Sequence, residues 1–156
     1  MKDRIANIEI DAPDLPKPSP EVEQERQVAI FDLLEDNRFA PTAPDAPDGP
    51  YHLTLAMRDR RLAFEVATGS GPVGAFHLAL GPFRQVVKDY WQICEAYFDA
   101  VKKLPPSQIE AIDMARRGIH DEGARILVER LDGKAEMDHP TARRLFTLIC
   151  VLHAGG

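Results

Sequence analysis

Residues 51–80 read YHLTLAMRDRRLAFEVATGSGPVGAFHLAL. Three alternating runs lie in this stretch. Tyr51 to Met57 sets Tyr51, Leu53, Leu55 and Met57 on one side; Leu62 to Thr68 does the same with Leu62, Phe64 and Val66; Val73 to Leu80 does it with Phe76, Leu78 and Leu80. A period of two is the signature of a half-buried strand. The charged segment Arg58–Arg61 and the segment Gly69-Ser70-Gly71-Pro72 separate the runs as turns. The stretch therefore predicts an antiparallel meander with one apolar face.

Upstream, Ile5 to Ile10 alternates and predicts a short strand. Asp11 to Pro18 is rich in proline and reads as an extended link. Ser19-Pro20 opens a helix, with Ser as N-cap, Pro at the first helical position and Glu21 and Glu23 in the first turn. Its apolar stripe is Val22, Ala29, Ile30, Leu33 and Leu34, and it should end near Asn37. Ala40 to Pro50 holds too many prolines for a helix or an inner strand. It reads as a crossing loop, either ordered or mobile.

Downstream of Gly81 the pattern is helical. Phe83, Val87, Tyr90, Cys94, Tyr97, Val101 and Leu104 recur at spacings of four and three, and Val86, Trp91, Ile93 and Phe98 widen the stripe until it must bury against more than one element. Pro105-Pro106 breaks this helix. Ser107-Gln108-Ile109-Glu110 predicts a capping box and a new helix to Arg117, with Gly118 as a left-handed cap. His120 or Asp121 then starts a further helix that Gly133 stops. Asp138-His139-Pro140 opens the last one, apolar on nearly every side from Leu145 to Leu152, as expected of a central helix or a subunit interface. Strands and helices are segregated, so the expected class is α+β: a small antiparallel or mixed sheet, made of one N-terminal strand and the meander, packed against five helices. Residues 1–156 are expected to form one domain, with flexible or irregular segments at 11–18 and 40–50.

Composition narrows the function classes. Net charge is −6, and the acidity lies in the first half. Without a basic excess, nucleic-acid binding is disfavoured, because phosphate neutralisation supplies most of that affinity. The longest apolar run, Leu148–Leu152, is far short of the ~20 residues of a membrane span. The N-terminus does not read as a secretory signal, so a cytoplasmic protein is expected. Cys94 and Cys150 sit in apolar helical patterns and read as buried, reduced thiols. The phosphate-loop, nucleophile-elbow and H-E-x-x-H motifs are all missing.

Four stretches resemble a bacterial group catalogued as uncharacterised protein family 0262. They are Glu21–Glu35 (EVEQERQVAIFDLLE), Gly81–Tyr97 (GPFRQVVKDYWQICEAY), Ser107–Gly123 (SQIEAIDMARRGIHDEG) and Thr141–His153 (TARRLFTLICVLH). The resemblance runs from Ile5 to the end and implies a bacterial cytoplasmic protein of about this length. It brings no activity and no site residues.

Three features are candidates for chemistry or binding. The first is Arg116-Arg117-Gly118-Ile119-His120-Asp121-Glu122. A turn at Gly118 would gather Arg116, Arg117, His120 and Asp121 at a fresh helix start, where backbone N–H groups favour an anion and His120 titrates near neutrality. Asp121 and Glu122 oppose that reading, since they suit a helix start structurally and repel phosphate. Glu122, Glu129 and Asp132 on the following helix oppose a DNA-reading role. The second is the rear of the meander, with His52, Thr54, Ala56, Ala63, Glu65, Ala67, Ala75, His77 and Ala79. One register sets Glu65 opposite His77, and a slip of two sets His52 across from Glu65. This is no recognised ligand motif, and neither a metal nor a cofactor is expected. So many alanines on a sheet face predict that something packs closely there. The third is the aromatic edge of the long helix, where Trp91 and Phe98 with Arg84 form a candidate partner surface.

The reading that follows is a non-enzymatic interaction or regulatory module whose partner is another protein or a second copy of itself. The alternative is a small enzyme or anion-binding protein centred on Arg116–Glu122. A concave pocket at Gly118 would favour the alternative, and a convex surface there the first reading.

Overall fold

The computed structural model describes residues 2–12 and 17–153. Part of the proline-rich link, Pro13 to Pro16, lies outside the described residues. The meander forms as its alternation requires: β3 (Tyr51–Arg58), β4 (Arg61–Thr68) and β5 (Gly71–Leu78) pair antiparallel. Asp59 and Arg60 turn the β3–β4 hairpin with φ of 51° and 64°. Left-handed backbone costs about 1 kcal/mol or more for a side chain like that of Arg60, but it matches the twist of the flanking strands. β1 (Ile5–Asp11) lies parallel to β3 on the far side, so the sheet is mixed, in the order β1-β3-β4-β5.

The class is α+β, with four helices rather than five. α1 (Pro20–Glu35) begins as its cap signals require, with the Val22 N–H donating to Ser19 Oγ at 3.2 Å. α2 (Gly81–Lys103) buries Phe83, Val86, Val87, Tyr90 and Cys94. α3 runs unbroken from Pro106 to Arg130. Its N-cap is Pro105, so Ser107 falls inside the first turn and makes no capping bond. Gly118 is therefore neither a cap nor a turn. A glycine in a helix interior loses only about 1 kcal/mol against alanine, and α3 recovers more by burying Gly123, Ala124 and Leu127. α3 ends at Arg130, ahead of Gly133, which takes left-handed backbone at φ 79° in the turn that follows.

Two short strands complete the fold. β2 (Phe39–Pro41) and β6 (Ala135–Met137) pair antiparallel as a separate ribbon. β2 overlaps the start of the Ala40–Pro50 segment, where Pro41 is tolerated because the pairing is two-stranded and at an edge.

α4 (His139–His153) is the central helix. From Thr141 to Leu152 every residue but Arg143 and Arg144 is buried, against α1, α2, α3 and β3. Its apolar faces are thus spent inside the chain and not on a subunit interface. The α3–α4 approach is close: a methyl group at Gly123 would overlap the Phe146 ring. One contiguous core joins Leu53, Leu55, Leu62 and Phe64 of the sheet to Leu145, Phe146 and Ile149 of α4. Cys94 and Cys150 are both buried free thiols, and burial pushes Cys94 up to about 11.

Candidate functional site

The groups of the α3 cluster each find their partners elsewhere in the chain. His120 projects from α3 onto α4 beside the rings of Tyr90 and Phe146, with centroids 5.4 and 6.0 Å away. Its Nε2 lies 2.8 Å from the Arg143 carbonyl oxygen and 2.7 Å from Thr147 Oγ1. A carbonyl only accepts, so Nε2 carries the hydrogen. Nδ1 is then left to accept from Arg143 Nη2 at 3.4 Å. Both ring nitrogens are used, and the tautomer is set by what they face. Burial drives the pKa down to about 4, reinforced by the nearby charges of Arg143 and Arg116 and opposed by the Arg143 carbonyl and Asp121. At neutral pH the imidazole is uncharged and its lone pair is engaged.

The neighbouring charges are similarly committed. Arg116 pairs with Asp113 at 2.8 Å and Glu25 at 3.7 Å, and its guanidinium lies 4.2 Å above the Tyr97 ring. Glu25 also accepts from the Tyr90 hydroxyl at 3.2 Å. Arg117 points to the exposed side of α3 and pairs with Asp113 at 3.0 Å. Asp121 accepts from His139 Nε2 at 3.0 Å. That bond, with the charge of Arg143, holds its carboxyl below the usual range. Arg143 Nε lies 3.2 Å from the same oxygen but off line for a hydrogen bond, so that contact is ionic only. Glu122 is held by Arg125. The four residues read together from the sequence thus separate. His120 faces inward, Arg116 lies against Tyr97 and Glu25, and Arg117 and Asp121 face solvent. Gly118 itself is exposed, with open space where a side chain would be. A small cleft of about 220 Å³ does open between α1, α3 and α4. His120, Arg143, Arg144 and Thr147 line it, together with the carboxylates of Glu25 and Asp32.

On the rear of the sheet, neither expected register holds. Glu65 stands opposite Ala75 and Thr54, His77 opposite Ala63, and His52 opposite Ala67. Glu65 is taken by Arg58, which also reaches Asp11 at 2.7 Å and so ties β1, β3 and β4 together. Among the described residues no group of three His, Cys, Asp or Glu side chains is placed to hold a metal ion. Ala56 and Ala63 are buried and Ala67 half-buried, whereas Ala75 is exposed. The close packing expected of this face holds at its centre and fails at β5.

The third candidate is concave. A groove of about 1250 Å³ runs along α2 between the start of α1 and the end of α4. Trp91, Phe98 and Val22 form its apolar surface. The Trp91 indole N–H donates to the Cys150 carbonyl at 2.9 Å, which fixes the ring as a rigid wall. Arg84, Lys88 and Lys102 lie along it with Glu21, Glu95 and Asp99. Asp99 pairs with Lys103 at 3.0 Å, as their spacing requires. Among the described residues, Arg84, Lys88 and Lys102 have no carboxylate within ion-pair distance. The structure thus brings together the residues of the proposed partner surface. The groove's other wall, from Ser19 to Val22, could not be found from the sequence, because nothing in the α1 pattern says which part of α2 it faces.

No helix among the described residues is long and apolar enough to cross a membrane. No solved structure matches the chain. Its sequence is 72% identical to the UPF0262 protein of Jannaschia sp. (strain CCS1), over 97% of either chain. It is also 72% identical to that of Dinoroseobacter shibae, over 97% of this chain and 98% of the relative. The Paracoccus denitrificans protein of the same name is 66% identical, over 97% of this chain and 96% of its own. Together with the match of residues 2–155 to the Uncharacterised protein family (UPF0262), this establishes that the chain belongs to that family.

Proposed function

We propose that this protein is a non-enzymatic interaction module that docks a segment of another protein in the α2 groove. The observation that carries the reading is the convergence of Trp91, Phe98 and Arg84 on one concave surface, while the Arg116–Asp121 cluster is dispersed and internally satisfied. A fixed aromatic wall lowers the ordering cost of binding, and Trp and Arg are the side chains that most often dominate interface energies. Arg84 and Lys88 sit one helical turn apart without a carboxylate partner among the described residues. They favour an amphipathic segment that rests apolar side chains on Trp91 and Phe98 and brings an acidic group to that end.

The test is native mass spectrometry on untagged protein purified gently from its own host, beside the variants Phe98→Asp and Arg84→Glu. The reading expects one protein at fixed stoichiometry that both variants lose and that the exposed control Met114→Ala retains. A companion that survives both substitutions removes the groove from the argument.

A second reading has one observation in its favour, the cleft beside His120. A small molecule held by Arg143 and Thr147 there would appear as a bound mass that Arg143→Ala releases. Glu25 and Asp32 on the opposite wall weigh against an anion, and the larger groove is the better-supported site.

A further inference from the structure

The two edges of the main sheet are finished differently. At the β1 edge the Asn37 amide behaves as a neighbouring strand would. Its Oδ1 accepts from the Ile5 N–H at 2.7 Å, and its Nδ2 donates back to the Ile5 carbonyl at 2.9 Å and to Leu33 O at 2.7 Å. α1 packs alongside, and Glu9 and Asp11 add charge to the same strand. Charged side chains and covered backbone are the devices that keep a sheet edge from pairing further.

Among the described residues the β5 edge has neither device along its length. From Val66 through Phe83 the chain carries no Asp, Glu, Lys or Arg. β5 extends over eight residues, and Pro72, Gly74, Ala75 and His77 are exposed. Among the described residues no strand pairs with its outer side. Pro72, which lacks an N–H, stands at the start of the strand and leaves the rest free to form a ladder.

We propose that this edge is a homodimer seam, with β5 of two copies pairing antiparallel across a two-fold axis at Ala75 to join the two four-stranded sheets into one. The chain's net charge of −6 makes contact between most pairs of equivalent surfaces repulsive, whereas β5 sets no like charges against each other. The register is self-complementary as well. A two-fold axis normal to the sheet keeps both core faces on one side, which requires the pairing to centre on a residue. Centring on Ala75 sets Ala75 opposite its equivalent, Phe76 opposite Gly74, His77 opposite Val73 and Leu78 opposite Pro72. The half-buried Phe76 ring then covers the partner's exposed Gly74 backbone, a pairing that compensates for the missing side chain of an edge glycine. Small side chains at the axis let the backbones meet, and two-fold strand pairing closes the assembly without leading to a fibre. This inference is carried by residues other than those of the groove and stands without it.

The experiment is sedimentation equilibrium of the full chain over a dilution series, with Ala75→Lys and Ala75→Glu studied alone and mixed. Ala75 is exposed, so both monomers should fold, which thermal melts by circular dichroism verify. The wild type is expected at twice 17.4 kDa. Each variant alone is expected as a monomer, since like charges would face each other at the axis. The equimolar mixture is expected to recover the dimer as a Lys–Glu pair. A wild-type monomer throughout, a dimer that Ala75→Lys leaves intact, or a mixture that stays monomeric would each overturn the proposal.

Discussion

The α3–α4 cluster and the α2 groove are built from the same residue types and differ in what those residues are doing. In the cluster, His120 uses both nitrogens within the chain, Arg116 has two carboxylates and a ring, and Asp121 is shared by His139 and Arg143. In the groove, Arg84, Lys88 and Lys102 have no acidic partner among the described residues, and the aromatic surface is open. A dense run of charge in a sequence marks a place where partners are close at hand, and such residues tend to satisfy each other. Sparse charges at helical spacing beside an aromatic leave binding capacity unspent.

The sharpest way to break this comparison is to titrate His120. Its pKa is lowered from 6.5 to about 4 by burial, so the folded state holds the neutral ring. The stabilisation is complete above pH 6.5. It falls as the pH drops from there to about 4, by up to ~1.4 kcal/mol per pH unit, and then levels off. Between pH 7 and 4.5 this single group should remove about 2–3 kcal/mol. His120→Gln keeps a donor for the Arg143 carbonyl and abolishes the titration. Urea melts at the two pH values should therefore show the wild type losing that much more than the variant. Asp121 and Glu122, whose carboxyls are lowered from 3.8 and 4.5, contribute their losses mainly below this window and do so in both proteins. Equal losses in wild type and variant would mean that the imidazole is solvated, and would reopen its claim to a catalytic role.

Most of the fold was legible because period-two and period-3.6 patterns report directly on which face is buried. The meander, α1 with its Ser19 cap and the buried α4 all follow from them. The error at Gly118 has a definite cause. Glycine beside charged residues looks the same whether it caps a helix or rests on the solvent side of a long one. Only the packing of Ala124 and Leu127 in register with the first half of α3 separates the two. Gly123, five residues on, carries the real constraint. It is required by a distant ring, Phe146, which local pattern cannot reveal. The sheet register was likewise invisible: the irregularity between Val66 and Ala67 that shifts the β5 pairing leaves no mark in the alternation. Trp91 and Phe98 were legible as the edge of a stripe, but the wall opposite them was not.

The two glycines of α3 sharpen the comparison at a smaller scale. Gly118 is exposed in mid-helix with nothing near its absent side chain. Gly118→Ala should therefore stabilise the protein by about 0.5–1 kcal/mol, through helix propensity and a less mobile unfolded chain. A capping glycine in the left-handed region would give the opposite sign. Gly123→Ala enjoys the same propensity gain but drives a methyl group into a fully buried ring, and overpacking of that kind costs roughly 1–3 kcal/mol. Its net effect should be destabilising. Thermal melts of the two single variants decide between one continuous helix and two.

The smallest expected effect is the one on which the groove depends. If Arg84 is held by no acidic partner of its own chain, then Arg84→Glu should change stability by less than about 0.5 kcal/mol, as exposed substitutions away from networks do. Arg116→Ala, by contrast, strips Glu25 and Asp113 of a half-buried cation and should destabilise by about 1–3 kcal/mol. Stability is the right readout for this contrast because it needs no knowledge of the partner. A large loss at Arg84 would show that the groove cations are structural and that the groove, like the cluster, is spent on its own chain. A negligible loss, next to a clear one at Arg116, would leave the groove charges accounted for by nothing inside the molecule, which is the condition that an external partner requires.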